Sequence, residues 1–232
     1  MPRKTSSRTR LRLLGAVVLI GLIGAGYLWW DLRHWQPPRA AWPLQGAEVG
    51  AEDGPIDWTA LKATGADFAY LDASASAFAR DDSFARNLDE AMAAKLKLGA
   101  VHRYDPCQPA ERQAANFVTL VPRDGAMLPP AVDLDLLGEL CPVKVSDAAV
   151  LSELTTFLNQ IETHTGKAAI LKLSSTFEDR YHVAAAIDRN LWLVRTRFQP
   201  DYAGRPWILW TANGALANPA GEGPLRWVVV QQ

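Results

Sequence analysis

From residue 46 onward, short apolar runs rich in β-formers alternate with amphipathic stretches, and this alternation constrains the fold more than any other feature. Phe68–Asp72, Leu98–Tyr104, Ala131–Leu136, Ala168–Leu173 and Leu191–Arg195 are predicted strands, and Trp207–Trp210 and Arg226–Val230 add two more near the end. Helical patterns fall at 57–64, about 82–96, about 109–120 and 146–165. The last opens with Ser146-Asp147 as an N-cap region, spaces Val150, Leu151, Leu154, Phe157, Leu158 and Ile161 along one stripe, and stops at Gly166. Such alternation implies a parallel sheet covered by helices. With about eight strands, the expectation is an α/β fold, an irregular (β/α) TIM-like barrel. The last strands are joined too tightly to carry helices, so the irregularity should lie at the C-terminal end.

The N-terminal segment has a different character. Arg3, Lys4, Arg8, Arg10 and Arg12 precede Leu13–Trp30, a stretch of 18 residues without a charge. As a helix that stretch would span about 27 Å at 1.5 Å per residue, enough for a bilayer's hydrocarbon core. Tyr27, Trp29 and Trp30 sit at its far end, where amphipathic rings favour the headgroup layer. The basic side stays in the cytoplasm, so the expected arrangement is a cytoplasmic segment 1–12, a transmembrane signal anchor 13–30, a linker 31–45 and an exported barrel domain 46–232; the alternative is a signal peptide cleaved after the small residues Gly24-Ala25-Gly26. That places the chain in a bacterial inner membrane, single-pass, with its barrel outside the cytoplasm. The linker holds three prolines and two tryptophans, which would rest on the membrane surface or against the body.

Charge narrows the partners. Residues 1–39 carry seven Lys/Arg against one acid, Asp31, which leaves 17 basic and 24 acidic residues for the remainder. An acidic body is unsuited to nucleic acid, which needs a basic face. The two cysteines, Cys107 and Cys141, are too few for a disulfide-built scaffold or a zinc cluster. They follow consecutive barrel strands, and export permits a bond between them. No metal or cofactor is expected, and the body is read as a monomer.

In a barrel of this kind the working residues sit at the C-terminal ends of strands. That points to Glu48, Asp72, His102, Asp133, Asp135 and the segment after Trp207. Asp133 and Asp135 lie two apart on one strand, so their carboxylates share a face. Paired carboxylates suit glycoside hydrolysis, one protonating the leaving oxygen while the other stabilises positive charge. They equally suit a divalent cation as oxygen ligands, or hydrogen-bonded strand-end caps. Glu52 and Asp53 read as solvated loop acids. Arg195 and Arg197 are candidate partners for Asp133 or Glu48, and Trp210, near its strand end, is a candidate sugar-stacking surface.

Several segments carry a resemblance. Gly46-Ala-Glu-Val-Gly-Ala-Glu-Asp-Gly-Pro-Ile-Asp-Trp58 resembles the opening motif G-I-D-V-S-x-x-Q-G-x-I-D-W of family 25 glycoside hydrolases, the lysozyme-like muramidases. Phe68-Ala-Tyr-Leu-Asp-Ala-Ser, Asp82-Ser-Phe84 with Asn87, Gly99-Ala-Val-His102 and Gln113-Ala-Ala-Asn-Phe117 resemble its next elements in order. Pro130-Ala-Val-Asp-Leu-Asp135 falls on the catalytic P-x-V-D-x-E strand, and Trp207-Ile-Leu-Trp210 on W-x-F-W-Q-Y. The likeness covers 46 to about 214.

The resemblance implies cleavage of peptidoglycan, or a related amino-sugar glycan, between N-acetylmuramic acid and N-acetylglucosamine. Asp135 would protonate the glycosidic oxygen. Asp133 and Glu48 would orient the 2-acetamido group or stabilise oxocarbenium-like charge, and His102 and Asp72 would line the substrate. Scaffold positions survive better than the site. Asp135 replaces the family's Glu, Glu48 its opening Asp, Ala75 a Glu, Asp72 a Lys and Thr211 a Gln. Catalytic groups must be held to within about 0.5 Å, so exchanged acid lengths matter. The alternative function is a catalytically impaired, membrane-anchored barrel that binds wall glycan or an envelope partner. A metal-dependent glycosyltransferase using Asp-x-Asp lacks a recognisable nucleotide-binding unit.

Overall fold

A computed structural model describes residues 7–231. The predicted segment 1–12 therefore lies partly outside the described residues. Eight strands close a barrel: β1 (Gln45–Val49), β2 (Phe68–Ala75), β4 (Lys97–Arg103), β5 (Ala131–Leu134), β6 (Ile170–Leu173), β7 (Asn190–Val194), β8 (Leu209–Ala217) and β9 (Pro224–Val230). A two-residue strand, β3 (Ala79–Arg80), pairs outside the ring on the end of β2. Neighbours from β1 round to β8 are parallel. β9 runs antiparallel to both β8 and β1 and closes the ring between them. The expected irregularity at the C-terminal end is this returning strand, joined to β8 by a turn too short to hold a helix.

Helices cover the outer face: α2 (Trp58–Ala63), α3 (Phe84–Ala93), α4 (Ala110–Leu120), α5 (Asp147–Thr165) and the short α6 (Ser175–Tyr181) and α7 (Val183–Ala186). Their ends follow from local chemistry. Asp57 caps α2 by accepting from the Ala60 amide at 2.9 Å, and Ser146 caps α5 by accepting from Ala149 at 3.3 Å. Gly166 ends α5 in the left-handed region at φ 71°, which a side chain would resist. The stripe Val150, Leu154, Phe157, Leu158 and Ile161 is fully buried against the barrel wall.

Alternation along the strands separates two cores. Outward residues such as Leu71, Val132, Leu171 and Trp227 pack under the helices. Inward residues Phe68, Tyr70, Val101, Ala131, Ile170, Trp192, Leu209 and Val228 fill the lumen toward the N-terminal ends of the strands. Gly99 allows this filling, since a Cβ there would overlap the Tyr70 ring. Above this apolar plug the inward positions become charged.

The N-terminal helix α1 (Ser7–His34) stands apart. Its segment Leu11–His34 is long and apolar enough to cross a membrane, and residues 11–30 are exposed throughout. Its last turn meets the barrel. Asn213 Nδ2 donates to the carbonyls of Leu32 and Trp35, both at 2.9 Å, and Arg197 forms an ion pair with Asp31. Residues 35–44 then run packed along the barrel. Trp42 stacks on Trp207 at 5.9 Å, Trp35 meets Trp210 at 6.3 Å, Arg39 pairs with Asp67, and Gln45 donates to Pro37 and Trp42 carbonyls. Both linker tryptophans lie on the body, so this segment is a fitted strap.

Candidate functional site

The charged layer forms where strand ends meet. Register sets Asp133 on β5 beside Lys172 on β6, and Glu48 on β1 beside Arg226 on β9. Lys172 Nζ donates to Glu48 Oε1 at 2.6 Å and to Asp133 Oδ2 at 3.3 Å, and sits 5.3 Å from the Trp192 ring centroid. Arg226 reaches Glu48 at 3.3 Å, Asp53 at 3.0 Å and Asp72 at 2.9 Å. Arg103 approaches Asp133 at 3.7 Å. Asp72 fits under Gly50, where a Cβ would collide with its carboxylate. Glu48 is fully buried, and its Oε2 has no hydrogen-bond partner among the described residues.

These neighbours set the protonation states. Burial pushes Glu48 up, but the charges of Lys172 and Arg226 outweigh it and hold the carboxyl below its ordinary value. Burial likewise works against the Lys172 charge, but Glu48 and Asp133 reverse that and raise it. Asp133 is raised, by burial and by the Glu48 charge against the pull of Lys172. Asp72 is pushed up to about 7, first by burial and then by Glu48, with Arg226 opposing. Asp72 therefore keeps a proton on part of its population near neutrality. About a quarter of its side chain stays exposed.

A cleft of about 320 Å³ opens over this layer, lined by Asp72, Ser74, Arg80, Asp81, Arg103 and Asp133 among others. It lies at the C-terminal mouth of the barrel, where substrates of such folds bind. Of the residues singled out in the sequence, Glu48, Asp72 and Asp133 converge here. Asp135 follows the last residue of β5, is exposed, and makes no side-chain hydrogen bond or ion pair among the described residues. It stands at the same end of the barrel without joining the charged layer.

Two other residues lie outside the cleft. His102 points outward between barrel and helices, fully buried, with Ser74 Oγ at 2.8 Å, Gln113 Oε1 at 3.3 Å and Phe157 packed on its ring. Burial lowers it to about 4, so it is neutral. Trp210 also faces outward, among Trp35, Trp42 and Trp207. The partners suggested for the acids differ too. Arg195 pairs with Asp201 and Arg197 with Asp31, because both side chains leave the barrel rim outward. Asp53 is not a solvated loop acid: it accepts from the Gly50 amide at 2.8 Å and from Arg226. Glu52 stays largely exposed.

The cysteines are joined. Cys107 and Cys141 form a disulfide with Cα atoms 5.1 Å apart, tying the loop after β4 to the loop after β5.

Lys172 and Arg226, which dominate the site's electrostatics, were missed. The available signal was alternation: each is a lone cation at an inward position of an otherwise apolar strand, Ile170–Leu173 and Pro224–Val230. A charge there needs a buried partner of opposite sign.

An eight-stranded barrel with buried carboxylates at its C-terminal mouth, under an open cleft, has its charged layer where barrel enzymes carry their working sites. The family model of glycosyl hydrolases family 25 matches residues 48–215, and the chain belongs to that family. The YegX protein of Escherichia coli (strain K12) is 26% identical over 180 residues, covering 74% of this chain and 63% of that protein. The chain thus spans less than two thirds of the length of these curated relatives. Lysozyme M1 of Streptomyces globisporus is 29% identical over 96 residues, 40% of this chain and 33% of that one. Among solved structures, a family 25 glycosyl hydrolase from Bacillus anthracis superposes with a TM-score of 0.77 at 24% identity, covering 86% of this chain and 93% of that one. A bacterial lysozyme from Streptomyces coelicolor gives 0.71 at 20% identity, covering 82% and 92%.

Proposed function

We propose that the chain is a lysozyme-type hydrolase of peptidoglycan or a closely related amino-sugar glycan, cleaving between N-acetylmuramic acid and N-acetylglucosamine. The observation that carries this reading is the placement of Asp133 and Asp72 on the wall of an open cleft at the barrel mouth. Asp133, kept in place by Lys172 and Arg103, orients the 2-acetamido group or stabilises the developing oxocarbenium-like charge. Glu48 lies behind it as the counter-charge that fixes Lys172. Asp135 donates the proton to the glycosidic oxygen, its side chain free to turn toward a glycan lying across the cleft. Its side chain is one methylene shorter than the Glu of the family motif.

A second reading has its own observation. Lys172 bridges two of the three acids, which suits a barrel that holds glycan without cleaving it. Digestion of purified sacculi by the full chain decides between them. New reducing ends on N-acetylmuramic acid support the hydrolase. Retention on sacculi without new ends supports the binding barrel.

The same reading includes membrane attachment. Residues 13–30 of α1 span the bilayer, the basic segment stays inside, and the barrel, residues 46–232, works outside the cytoplasm as a monomer. The support is the length and apolar character of Leu11–His34 together with its full exposure over residues 11–30.

A further inference from the structure

The mouth of the barrel and the anchor helix occupy the same end of the molecule. The last turn of α1 docks on Arg197, after β7, and on Asn213, in the C-terminal half of β8. Arg33 and His34 border a hollow against the β8–β9 turn, Asn218 to Gly223. No slack remains beyond this joint, because the strap 35–44 is packed on the barrel wall. A helix that leaves the body from this end, exposed from residue 30 backwards, brings the bilayer surface to the mouth.

The rim of the mouth is apolar in a way the rest of the body is not. Phe78 after β2, Leu140 and Val143 after β5, and Phe198 after β7 are 70%, 77%, 78% and 64% exposed. Leu136 and Val194 join them at the same end, whereas Leu44 and Met92 are the exposed large apolar side chains elsewhere on the described body. The loop bearing Leu140 and Val143 is held rather than loose. The Cys107–Cys141 disulfide ties it down, Tyr181 Oη accepts from the Gly138 amide at 2.8 Å, and Arg180 pairs with Glu139 at 2.6 Å. The gathering of these apolar side chains at one end of the barrel, with only Leu44 and Met92 comparably exposed elsewhere on the described body, singles that end out as a contact surface.

We propose that this rim is a lipid-docking surface: Phe78, Leu140, Val143 and Phe198 rest in the headgroup and upper acyl region beside α1, and the cleft opens onto the membrane surface. The occupant is the bilayer because the apolar rim lies at the same end of the barrel as the docked end of the anchor. The cleft then receives glycan lying at, or still tethered to, the outer leaflet rather than strands in distant wall layers. This rests on the reading of α1 as a membrane span.

The test is photolabelling of the full chain in phosphatidylethanolamine–phosphatidylglycerol vesicles containing a lipid with a diazirine on its upper acyl chain, with adducts mapped by mass spectrometry. Adducts are expected on α1 and on the loops 76–79, 136–144 and 195–203. In the double variant L140D/F198D, which changes two exposed side chains, loop adducts should fall several-fold while α1 adducts stay constant. Adducts on α1 with none on the three loops overturn the rim proposal and leave the anchor intact. Absence of adducts on α1 overturns both.

Discussion

The ammonium of Lys172 lies 2.6 Å from Glu48 Oε1 inside the barrel, where Glu48 is fully buried and the Lys172 side chain is 8% exposed. The pair spans the lumen from β6 to β1, so each charge is tolerable only because the other is there. Replacing Lys172 with Met should destabilise the fold by about 3–5 kcal/mol, since it strands Glu48 and removes a partner of Asp133. The double variant K172M/E48Q should regain much of that loss. Chemical denaturation of the three proteins checks this. Equal losses in the single and double variants would show that the pair is not coupled.

Two buried groups give stability opposing pH slopes. Asp72 titrates near 7 when folded against an ordinary 3.8, so its native state binds the extra proton and stability falls as pH rises between those values. His102 is lowered from 6.5 to about 4, so the unfolded chain binds the extra proton and stability falls as pH drops through that window. The two partly cancel between about pH 4 and 6.5 in the parent protein. Removing one should expose the other. D72N should gain melting temperature relative to the parent as pH rises from 5 to 8, and H102Q should lose the acid-side decline after its constant packing cost. Melting curves parallel to the parent across this range would contradict both assignments.

The Cys107–Cys141 bond encloses a 34-residue separation. In the chain-entropy view its closure stabilises by about 3–4 kcal/mol. C107S/C141S should therefore unfold at markedly lower denaturant, and reduction of the parent should produce the same shift. If the rim loop depends on the bond, proteolysis of the variant should begin within 136–144.

Seven of the eight ring strands, all but β1, were legible because alternation between apolar runs and amphipathic stretches survives in a single sequence. Ser146 and Gly166 even marked the ends of α5. The site was legible only in part. Glu48, Asp72 and Asp133 could be placed by strand ends and by resemblance, but Lys172 and Arg226 could not, because a lone cation in a short apolar run looks the same at a solvent edge as in a lumen. Register across β5–β6 and β1–β9 decides that, and register is a property of the closed barrel. Trp210 shows the complementary problem: an aromatic at a strand end gives no sign of which face it takes, and here the strap's Trp35 and Trp42 claim it. Whether residues 31–45 form a spacer or a fitted strap likewise depends on partners such as Asp67 and Trp207, far away in sequence.

Substitutions at the mouth separate the roles of the acids. D135N should lower turnover by about 10²–10⁴-fold if Asp135 is the proton donor, with glycan binding retained. D133N should also lose turnover, while leaving Lys172 paired to Glu48 and the fold intact. If D135N keeps full activity and D72N loses it, the donor is Asp72, whose carboxyl is pushed up to about 7.

The most direct measurement is the product of the full chain, reconstituted in lipid, acting on purified peptidoglycan, with chain ends identified by mass spectrometry. The expected result is accumulation of fragments with N-acetylmuramic acid at the reducing end, absent in D133N. Intact glycan after exhaustive incubation with a folded, membrane-inserted protein would contradict the hydrolase reading and leave a barrel that binds without cleaving.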